Sequence, residues 1–186
     1  MRSLLLAGGR SSRMGRDKAL IKIDGLCMIE RAVNALAAAN LEPIRIAVAE
    51  PEDVEEYGSV IGTELDIEWV LDSMMHAGPI DAIEEALLNP KCEDGILQLA
   101  TVDYPWVSSN LFVSLQERLG KDDCLIMPHD GERGHPLLSL IRTEAVLEMI
   151  DGDRRPLRVQ FTEAKHSILV EDPAVLLNVN TPEDLQ

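Results

Sequence analysis

The sequence predicts an α/β fold with three layers, in which a mostly parallel sheet carries helices on both faces. Short aliphatic runs, typical of buried strands, alternate along the chain with segments whose apolar residues recur every three or four positions. Several of these runs stop at glycine or aspartate, as strands do where they open into loops. A chain of 186 residues is long enough for one domain with a sizeable core.

The elements follow from local patterns taken in order. Apolar alternation or short apolar runs predict strands at 4–7, 21–23, 44–48, 67–71, 95–100, 125–127, 136–141 and 168–170. Helical spacing, first-turn prolines and candidate caps predict helices at 28–39, 51–60, 79–88, 108–119, 144–150 and 155–164. Ser108 is a candidate N-cap. Thr181-Pro182-Glu183-Asp184 predicts one more helix start, with a capping threonine, a first-turn proline and an acid at the third position.

The loop after the first strand has the chemistry of an anion site. Two glycines end the strand, and a basic stretch follows that contains Arg10, Arg13, Arg16 and Lys18. Glycine lets the backbone approach a ligand closely, while arginine and lysine supply the charge that a polyphosphate needs. The stretch is not a P-loop, because alanine follows the lysine, and its adjacent glycines exclude the G-x-G-x-x-G dinucleotide fingerprint. A solvated basic turn is the alternative interpretation.

These residues carry a family resemblance. The pattern L-A-G-G-x-S-S-R-M-G-x-D-K resembles the signature loop of nucleotidyltransferases, most closely that of the MobA molybdenum cofactor guanylyltransferases. The segments D-G-E-R-G-H-P and N-V-N-T-P-E-D-L also resemble that family, so the likeness spans nearly the whole chain. It implies a Rossmann-like nucleotidyltransferase fold. It also implies that GTP is bound by Leu6, Ala7, Gly8, Gly9, Ser12, Arg13, Lys18, Asp72 and Asp103.

Asp103 follows the predicted strand 95–100 and precedes an aromatic residue and a proline. A carboxylate that faces a triphosphate needs a divalent cation between them, and Mg²⁺ takes one or two carboxylates plus phosphate oxygens. An Asx-turn or a helix cap is the structural alternative. The resemblance implies the metal role, because the family's C-D-x-P aspartate binds Mg²⁺. Val102 stands where that cysteine usually lies.

Asp72, at the end of strand 67–71, is a candidate reader of the base. A carboxylate can accept from the N1–H and the amine of guanine, a paired edge that cytosine and adenine lack. A loop acid or cap is the alternative. The chain departs from the family nearby, since Asp81 lies in a segment that usually reads G-P-L-A-G, and Ala47 and Ala49 lie where relatives often carry asparagine.

The acceptor side is expected in the second half of the chain. The candidate acceptor-binding residues are His135, Arg155, Asn178 and Asn180, and the resemblance implies that the side of the cleft with His135 faces the pterin substrate. His135 either donates to the acceptor phosphate or packs at a strand start. The arginines at 154 and 155 form either a phosphate pair or an ordinary solvated helix start.

Composition excludes several functions. There are 17 Lys and Arg against 33 Asp and Glu, a net charge of −16, which argues against nucleic acid or an anionic membrane as partner. Three widely spaced cysteines predict reduced thiols and a cytoplasmic location. No signal peptide and no membrane-spanning run is expected.

The expected reaction is implied by the resemblance. The phosphate of molybdopterin attacks the α-phosphorus of GTP, pyrophosphate leaves, and Arg13, Lys18 and Asp103 with Mg²⁺ act as catalytic groups. The chain, 1–186, would bind nucleotide with roughly 1–105 and acceptor with roughly 106–186. The resemblance also leaves room for transient contact with other cofactor-synthesis proteins or with molybdoenzymes.

Three alternatives stay open. The same chemistry could serve another base or acceptor, as in a molybdopterin cytidylyltransferase or a guanylyltransferase for a corrin or sugar phosphate. The chain could be a nucleotide-binding module without turnover. A purely structural protein is the third alternative, but it leaves the basic loop of an acidic chain unexplained.

Overall fold

The computed structural model describes residues 2–7, 17–71, 78–89, 92 and 95–185. Its strands are β1 (Arg2–Leu6), β2 (Lys22–Ile23), β3 (Leu26–Cys27), β4 (Ile44–Val48), β5 (Ile67–Leu71), β6 (Ile96–Thr101), β7 (Leu125–His129), β8 (Leu140–Arg142) and β9 (His166–Val170). Its α-helices are α1 (Met28–Ala38), α2 (Pro51–Gly58), α3 (Pro79–Leu88), α4 (Ser109–Arg118), α5 (Thr143–Ile150) and α6 (Leu157–Glu163). Two 3₁₀ turns cover Pro136–Leu138 and Pro182–Leu185. The predictions on Gly8, Gly9, Ser12, Arg13 and Asp72 fall outside the described residues.

Seven of these strands form one sheet in the order β5-β4-β1-β6-β8-β7-β9, and β2 and β3 form a separate antiparallel pair. β1 lies between β4 and β6 and is parallel to both, β4 is parallel to β5, and β7 is parallel to β9. β8 is antiparallel to both of its neighbours. The predicted, mostly parallel sheet is therefore confirmed, and the sheet takes strands from both halves of the chain.

Helices cover both faces of this sheet. Successive side chains of a strand point to opposite faces, so Leu5 of β1 joins one apolar cluster while Leu4 and Leu6 join the other. The Leu5 cluster packs against α1, α2 and α4, and the Leu4 cluster packs against α3, α5 and α6. The three-layer prediction is confirmed, and β1 is buried along its whole length.

The prediction of one strand at 136–141 is wrong in its first half. Pro136–Leu138 forms a 3₁₀ turn, and β8 begins only at Leu140. Proline has no N–H to donate to a β-ladder. The Leu138 N–H instead donates to the His135 carbonyl, and the buried Gln98 amide donates to the Leu138 and Ser139 carbonyls.

One helix start and one helix cap also differ from the prediction. α6 begins at Leu157, because Pro156 disfavours a helical conformation for Arg155 before it. α4 begins at Ser109 as expected, but the Ser108 side chain makes no capping hydrogen bond. Within the part of the chain that the structure describes, no helix has the length and apolar character needed to cross a membrane.

Candidate active site

The carboxyl ends of β1 and β6 lie side by side. Leu6 pairs with Thr101 in the register, and the Val102 N–H donates to the Leu6 carbonyl. On the other side of β1, the Ala7 N–H donates to the carbonyl of Ala47, which is buried within β4. Ligands of parallel sheets bind beyond this edge, so the chain leaving β6 enters the candidate site directly.

Asp103 is held at that edge by its backbone. Its N–H donates to the Thr101 hydroxyl at 3.4 Å, and its carbonyl accepts from the Val179 N–H at 2.9 Å. The Asp103 side chain remains 29% exposed. A carboxylate is therefore fixed in place at the end of β6 while it stays accessible to a ligand.

Lys18 and Asn180 come to Asp103 from opposite ends of the chain. The Lys18 Nζ lies 2.7 Å from Asp103 Oδ1 and donates to Asn180 Oδ1 at 3.2 Å. The Lys18 side chain is only 12% exposed, so the ion pair is partly withdrawn from water. Such a pair is electrostatically stronger than one on the surface, and its cation lies where a polyphosphate chain would enter.

Asp17 fixes the backbone that carries Lys18. Its Oδ1 accepts from the Ala19 N–H at 2.9 Å, and its Oδ2 accepts from the hydroxyl of Tyr57 in α2 at 2.7 Å. Tyr57 is 3% exposed, and both burial and the Asp17 carboxylate raise the pKa of its hydroxyl. The hydroxyl therefore remains a donor, and α2 holds the segment that delivers Lys18.

Asn180 is positioned by the turn that follows it. The Asp184 carboxylate accepts from the N–H groups of Asn180 at 2.7 Å and Thr181 at 2.8 Å. These bonds, with that from Asn180 as the largest cause, lower the pKa of Asp184. The Asn180 amide nitrogen in turn donates to the Asn178 amide oxygen. The predicted helix start is thus a short 3₁₀ turn, Pro182–Leu185, whose acid orients the two asparagines.

His135 is buried between two polar partners. Its Nδ1 lies 3.2 Å from the Tyr104 hydroxyl and its Nε2 lies 3.0 Å from Asp130 Oδ2, while the residue is 2% exposed. Burial lowers the pKa of His135, and the hydrogen bond and charge of Asp130 oppose that shift. Backbone N–H groups of Arg133 and Glu132 hold the pKa of Asp130 well below its usual range. With both ring nitrogens engaged, His135 is placed to orient its neighbours.

Arg155 lies apart from this cluster. Its guanidinium pairs with Asp153 at 2.8 Å and Glu163 at 3.0 Å, and these bonds raise its pKa. Arg154 instead lines an apolar cavity of about 490 Å³ between the starts of α3 and α6, together with Asp81. Asp81 accepts from the Gly78 N–H at 3.1 Å and lies 3.7 Å from Arg154. Asp81 therefore stabilises the start of α3.

The comparison with known proteins decides the family. A family model described as a MobA-like NTP transferase domain matches residues 3–167. The chain belongs to this family. It is accordingly a nucleotidyltransferase, as the signature loop predicts. The molybdenum cofactor guanylyltransferase of Photobacterium profundum is 26% identical over 98% of this chain and 92% of that protein. The one from Shewanella pealeana is 27% identical over 99% and 91%.

Solved structures share the MobA-like fold. Molybdopterin-guanine dinucleotide biosynthesis protein A from Archaeoglobus fulgidus has a TM-score of 0.72 at 20% identity, covering 100% of this chain and 95% of that one. A nucleotidyl transferase from Methanothermobacter has a TM-score of 0.81 at 16% identity, covering 98% and 93%. At these identities the likeness concerns the fold alone, and the predicted nucleotidyltransferase fold is confirmed.

A divalent ion, which enzymes of this MobA-like kind generally use, fits Asp103. The bond from Lys18 occupies one carboxylate oxygen and leaves acceptor capacity on the group, which is partly exposed. Among the described residues, no three His, Cys, Asp or Glu side chains gather in a metal-binding arrangement. A single carboxylate suits Mg²⁺, which takes its other ligands from phosphates and water.

Sequence analysis missed Tyr104, Asp130, Tyr57 and Asp17 as parts of this MobA-like site. Asp17 lies inside the signature loop, beside Lys18, and Tyr104 directly follows Asp103. Both positions were therefore detectable as neighbours of candidate residues. The partnership of Tyr57 with Asp17 had no local signal, because 40 positions separate them.

Proposed function

We propose that the protein transfers GMP from GTP to the phosphate of molybdopterin and releases pyrophosphate. The observation that carries the proposal is the Lys18–Asp103–Asn180 cluster at the carboxyl ends of β1 and β6. The chain matches molybdenum cofactor guanylyltransferases over nearly their whole length. Their names support the choice of nucleotide and acceptor.

The reaction depends on the orientation of the substrates and on neutralisation of phosphate charge more than on proton transfer. An oxygen of the acceptor phosphate forms a bond to the α-phosphorus of GTP, and the bond from that phosphorus to the bridging oxygen of the β-phosphate breaks. The acceptor is already largely ionised at neutral pH, because the second pKa of a phosphate monoester is about 6. No general base is required, so catalysis rests on orientation and on neutralisation of the phosphate charge.

The described residues divide these tasks. Lys18 places its ammonium on the phosphate chain, and Asn180 fixes the direction of that ammonium. Asp103 would hold Mg²⁺, which when bound supplies further positive charge to the phosphates. Leu6 and Ala7 contribute the buried end of β1 from which the nucleotide loop departs. Gly8, Gly9, Ser12, Arg13 and Asp72 complete the proposed nucleotide site.

The acceptor is proposed to enter beside the second half of the chain. Asn178 and Asn180 reach the cluster from that side. Tyr104, which follows Asp103, contacts His135, and His135 contacts Asp130. Arg155 is proposed to meet the acceptor phosphate by exchanging its pairing with Asp153 or Glu163 for that phosphate. We accordingly assign nucleotide binding to roughly 1–105 and acceptor binding to roughly 106–186.

Calorimetry with GTP, CTP and ATP, each with and without Mg²⁺, tests the nucleotide. Metal-dependent preference for GTP supports the proposal, whereas preference for CTP moves the protein to cytidylyl transfer. Pyrophosphate release with molybdopterin as acceptor then tests turnover. Tight GTP binding without any release, acceptor present, would instead indicate a binding module. Lys165→Ala is a matched control for lysine variants, because Lys165 is 64% exposed and pairs with Asp122 at the surface.

A further inference from the structure

β9 is the last strand in the order of the sheet, and among the described strands it pairs with β7 alone. The Glu171 N–H donates to the His129 carbonyl, and the Lys165 carbonyl accepts from the Cys124 N–H, both on the β7 side. Backbone groups of successive strand residues point to alternate sides of the strand. The three even-numbered residues of β9 therefore point their N–H and C=O groups to the open edge: His166, Ile168 and Val170.

The open edge also carries exposed apolar side chains. Ile168 is 52% exposed and Val170 is 68% exposed, whereas Leu169 between them is 5% exposed and packs in the Leu5 cluster. Natural proteins commonly protect an edge strand with lysine, another charge or a proline. The β9 sequence, H-S-I-L-V, contains no lysine, arginine, acid or proline. This edge therefore has the character of one that pairs with a further strand.

Charges of opposite sign flank the apolar edge. Lys165 precedes β9 and Glu171 follows it, each three positions from Ile168. In an antiparallel pair of two copies centred on Ile168, Lys165 of each copy lies opposite Glu171 of the other. Opposite charges that face each other across two strands are stabilising, and like charges are destabilising. The charge pattern is therefore complementary to itself in this one register.

The backbone suits the same register. Ile168 would face Ile168 of the second copy as a hydrogen-bonded pair, because its N–H and C=O both point to the open edge. His166 would face Val170 of the second copy in the same way. A shift by one residue would bring side chains of opposite faces together and separate Lys165 from Glu171.

The other end of the sheet is less suited to pairing with itself. β5 contains Glu68 and follows Asp66, and it has no basic residue of its own. Two copies of a chain with a net charge of −16 repel one another overall, so a contact between copies needs basic groups placed against acids. Lys165 beside β9 supplies such a group.

We propose that the open edge of β9 pairs antiparallel with β9 of a second copy of this chain, about a two-fold axis at Ile168. The two sheets then form one continuous sheet. In the order β6-β8-β7-β9, β9 is three strands from β6, which precedes Asp103. The pairing is thus independent of the proposed guanylyl transfer and should leave the turnover of each copy unchanged.

Sedimentation equilibrium of the whole chain tests the association at about 0.15 M salt, where charges more than about 8 Å apart are largely screened. The wild type should be a dimer at about 100 μM, a concentration at which an association with a micromolar Kd is nearly complete. Lys165→Glu should raise the Kd of the dimer by about tenfold or more, because two attractive contacts become repulsive. Glu171→Lys should do the same.

The exchange of both charges is the decisive variant. Lys165→Glu combined with Glu171→Lys restores opposite charges across the two-fold axis and should return the Kd to within about threefold of wild type. Lys22→Glu is the control for net charge, because Lys22 is exposed in β2, outside the seven-stranded sheet. It should leave the Kd unchanged.

Amide hydrogen exchange followed by NMR locates the contact. In the dimer, the N–H groups of Ile168 and Val170 should exchange at least about tenfold more slowly than in Lys165→Glu. The Leu169 N–H, which points to β7, should be protected in both proteins.

A wild-type monomer at about 100 μM with a fast-exchanging β9 edge would overturn the proposal and leave that edge to a strand of a different protein. A dimer that survives both single charge reversals, or one that the double exchange fails to restore, would overturn it equally. Lys165 is 64% exposed, so Lys165→Glu should fold. If it does not, Glu171→Lys carries the same test. These outcomes do not depend on whether the protein transfers GMP, which pyrophosphate release measures separately.

Discussion

The ammonium of Lys18 lies 2.7 Å from the carboxylate of Asp103, although 85 positions separate them in the chain. β1 precedes Lys18 and β6 precedes Asp103, and these two parallel neighbours end at the same edge of the sheet. An acid that would repel a triphosphate is thus held beside the cation that attracts it.

Lys18→Ala should abolish most of the turnover while the protein stays folded. Removing one preorganised donor from a phosphate site typically lowers kcat by about a hundredfold or more. Pyrophosphate release measures the loss, and circular dichroism checks the fold. Lys165→Ala should retain wild-type turnover. Near-full activity of Lys18→Ala would rule out the role assigned to this lysine.

Asp103→Asn should raise the metal concentration needed for half-maximal activity by at least about tenfold. The amide keeps the size of the side chain and can still accept a hydrogen bond from Lys18, but it lacks the charge that holds a divalent ion. Activity titrated with Mg²⁺ measures the shift. Asp122→Asn is the control, because Asp122 is 84% exposed and lies outside the site. An unchanged metal requirement in Asp103→Asn would place the ion elsewhere.

Tyr57→Phe should cost about 1 kcal/mol of unfolding free energy, the usual contribution of a hydrogen bond. Because the lost bond holds Asp17 next to Lys18, kcat should also fall by about threefold to tenfold. Urea unfolding and steady-state kinetics provide the two measurements. Ser59→Ala is the control for kcat, because it removes an exposed hydroxyl that donates to the Glu56 carbonyl just beyond the same helix and should leave kcat unchanged. Lower stability with wild-type kcat would limit Tyr57 to a structural role.

The sequence was sufficient to predict the sheet and to expect Lys18 near Asp103. Apolar runs that end in glycine or aspartate predicted strand ends, and the edge rule for parallel sheets then placed Lys18 near Asp103. The 3₁₀ turn at Pro136–Leu138 was harder to predict. An apolar run has the sequence pattern of a strand whether or not its backbone N–H groups can pair with a neighbouring strand. The late start of α6 could have been predicted from Pro156, because proline restricts the backbone conformation of the residue before it.

The partners of His135 were beyond sequence analysis. The sequence around His135 does not distinguish a histidine that contacts a ligand from one that packs at the start of a strand. The difference lies in Tyr104, 31 positions earlier, and in burial that leaves 2% of the residue exposed. Asn180 was expected near a cleft, but its bond to Lys18 depends on how the end of the chain folds back over β6.

His135 should make the protein less stable as the pH falls below about 6.5, the usual pKa of histidine in an unfolded chain. Its pKa is lowered in the folded state, mainly by burial, so the unfolded state binds the additional proton in this range. Stability then rises with pH and is lost on acidification. Asp130 faces the ring and opposes this shift, whereas Arg133 and His129 reinforce it.

Urea unfolding at pH 7.5 and pH 5.0, for wild type and His135→Gln, isolates this contribution. The wild type should lose more stability between the two pH values, by at most about 1.4 kcal/mol per pH unit for one proton. The depressed pKa of Asp130 acts only below about pH 4, where its unfolded form takes up a proton, and so lies outside the window. Equal losses in the two proteins would mean that His135 is as easily protonated in the fold as in the unfolded chain, contrary to its burial between Tyr104 and Asp130.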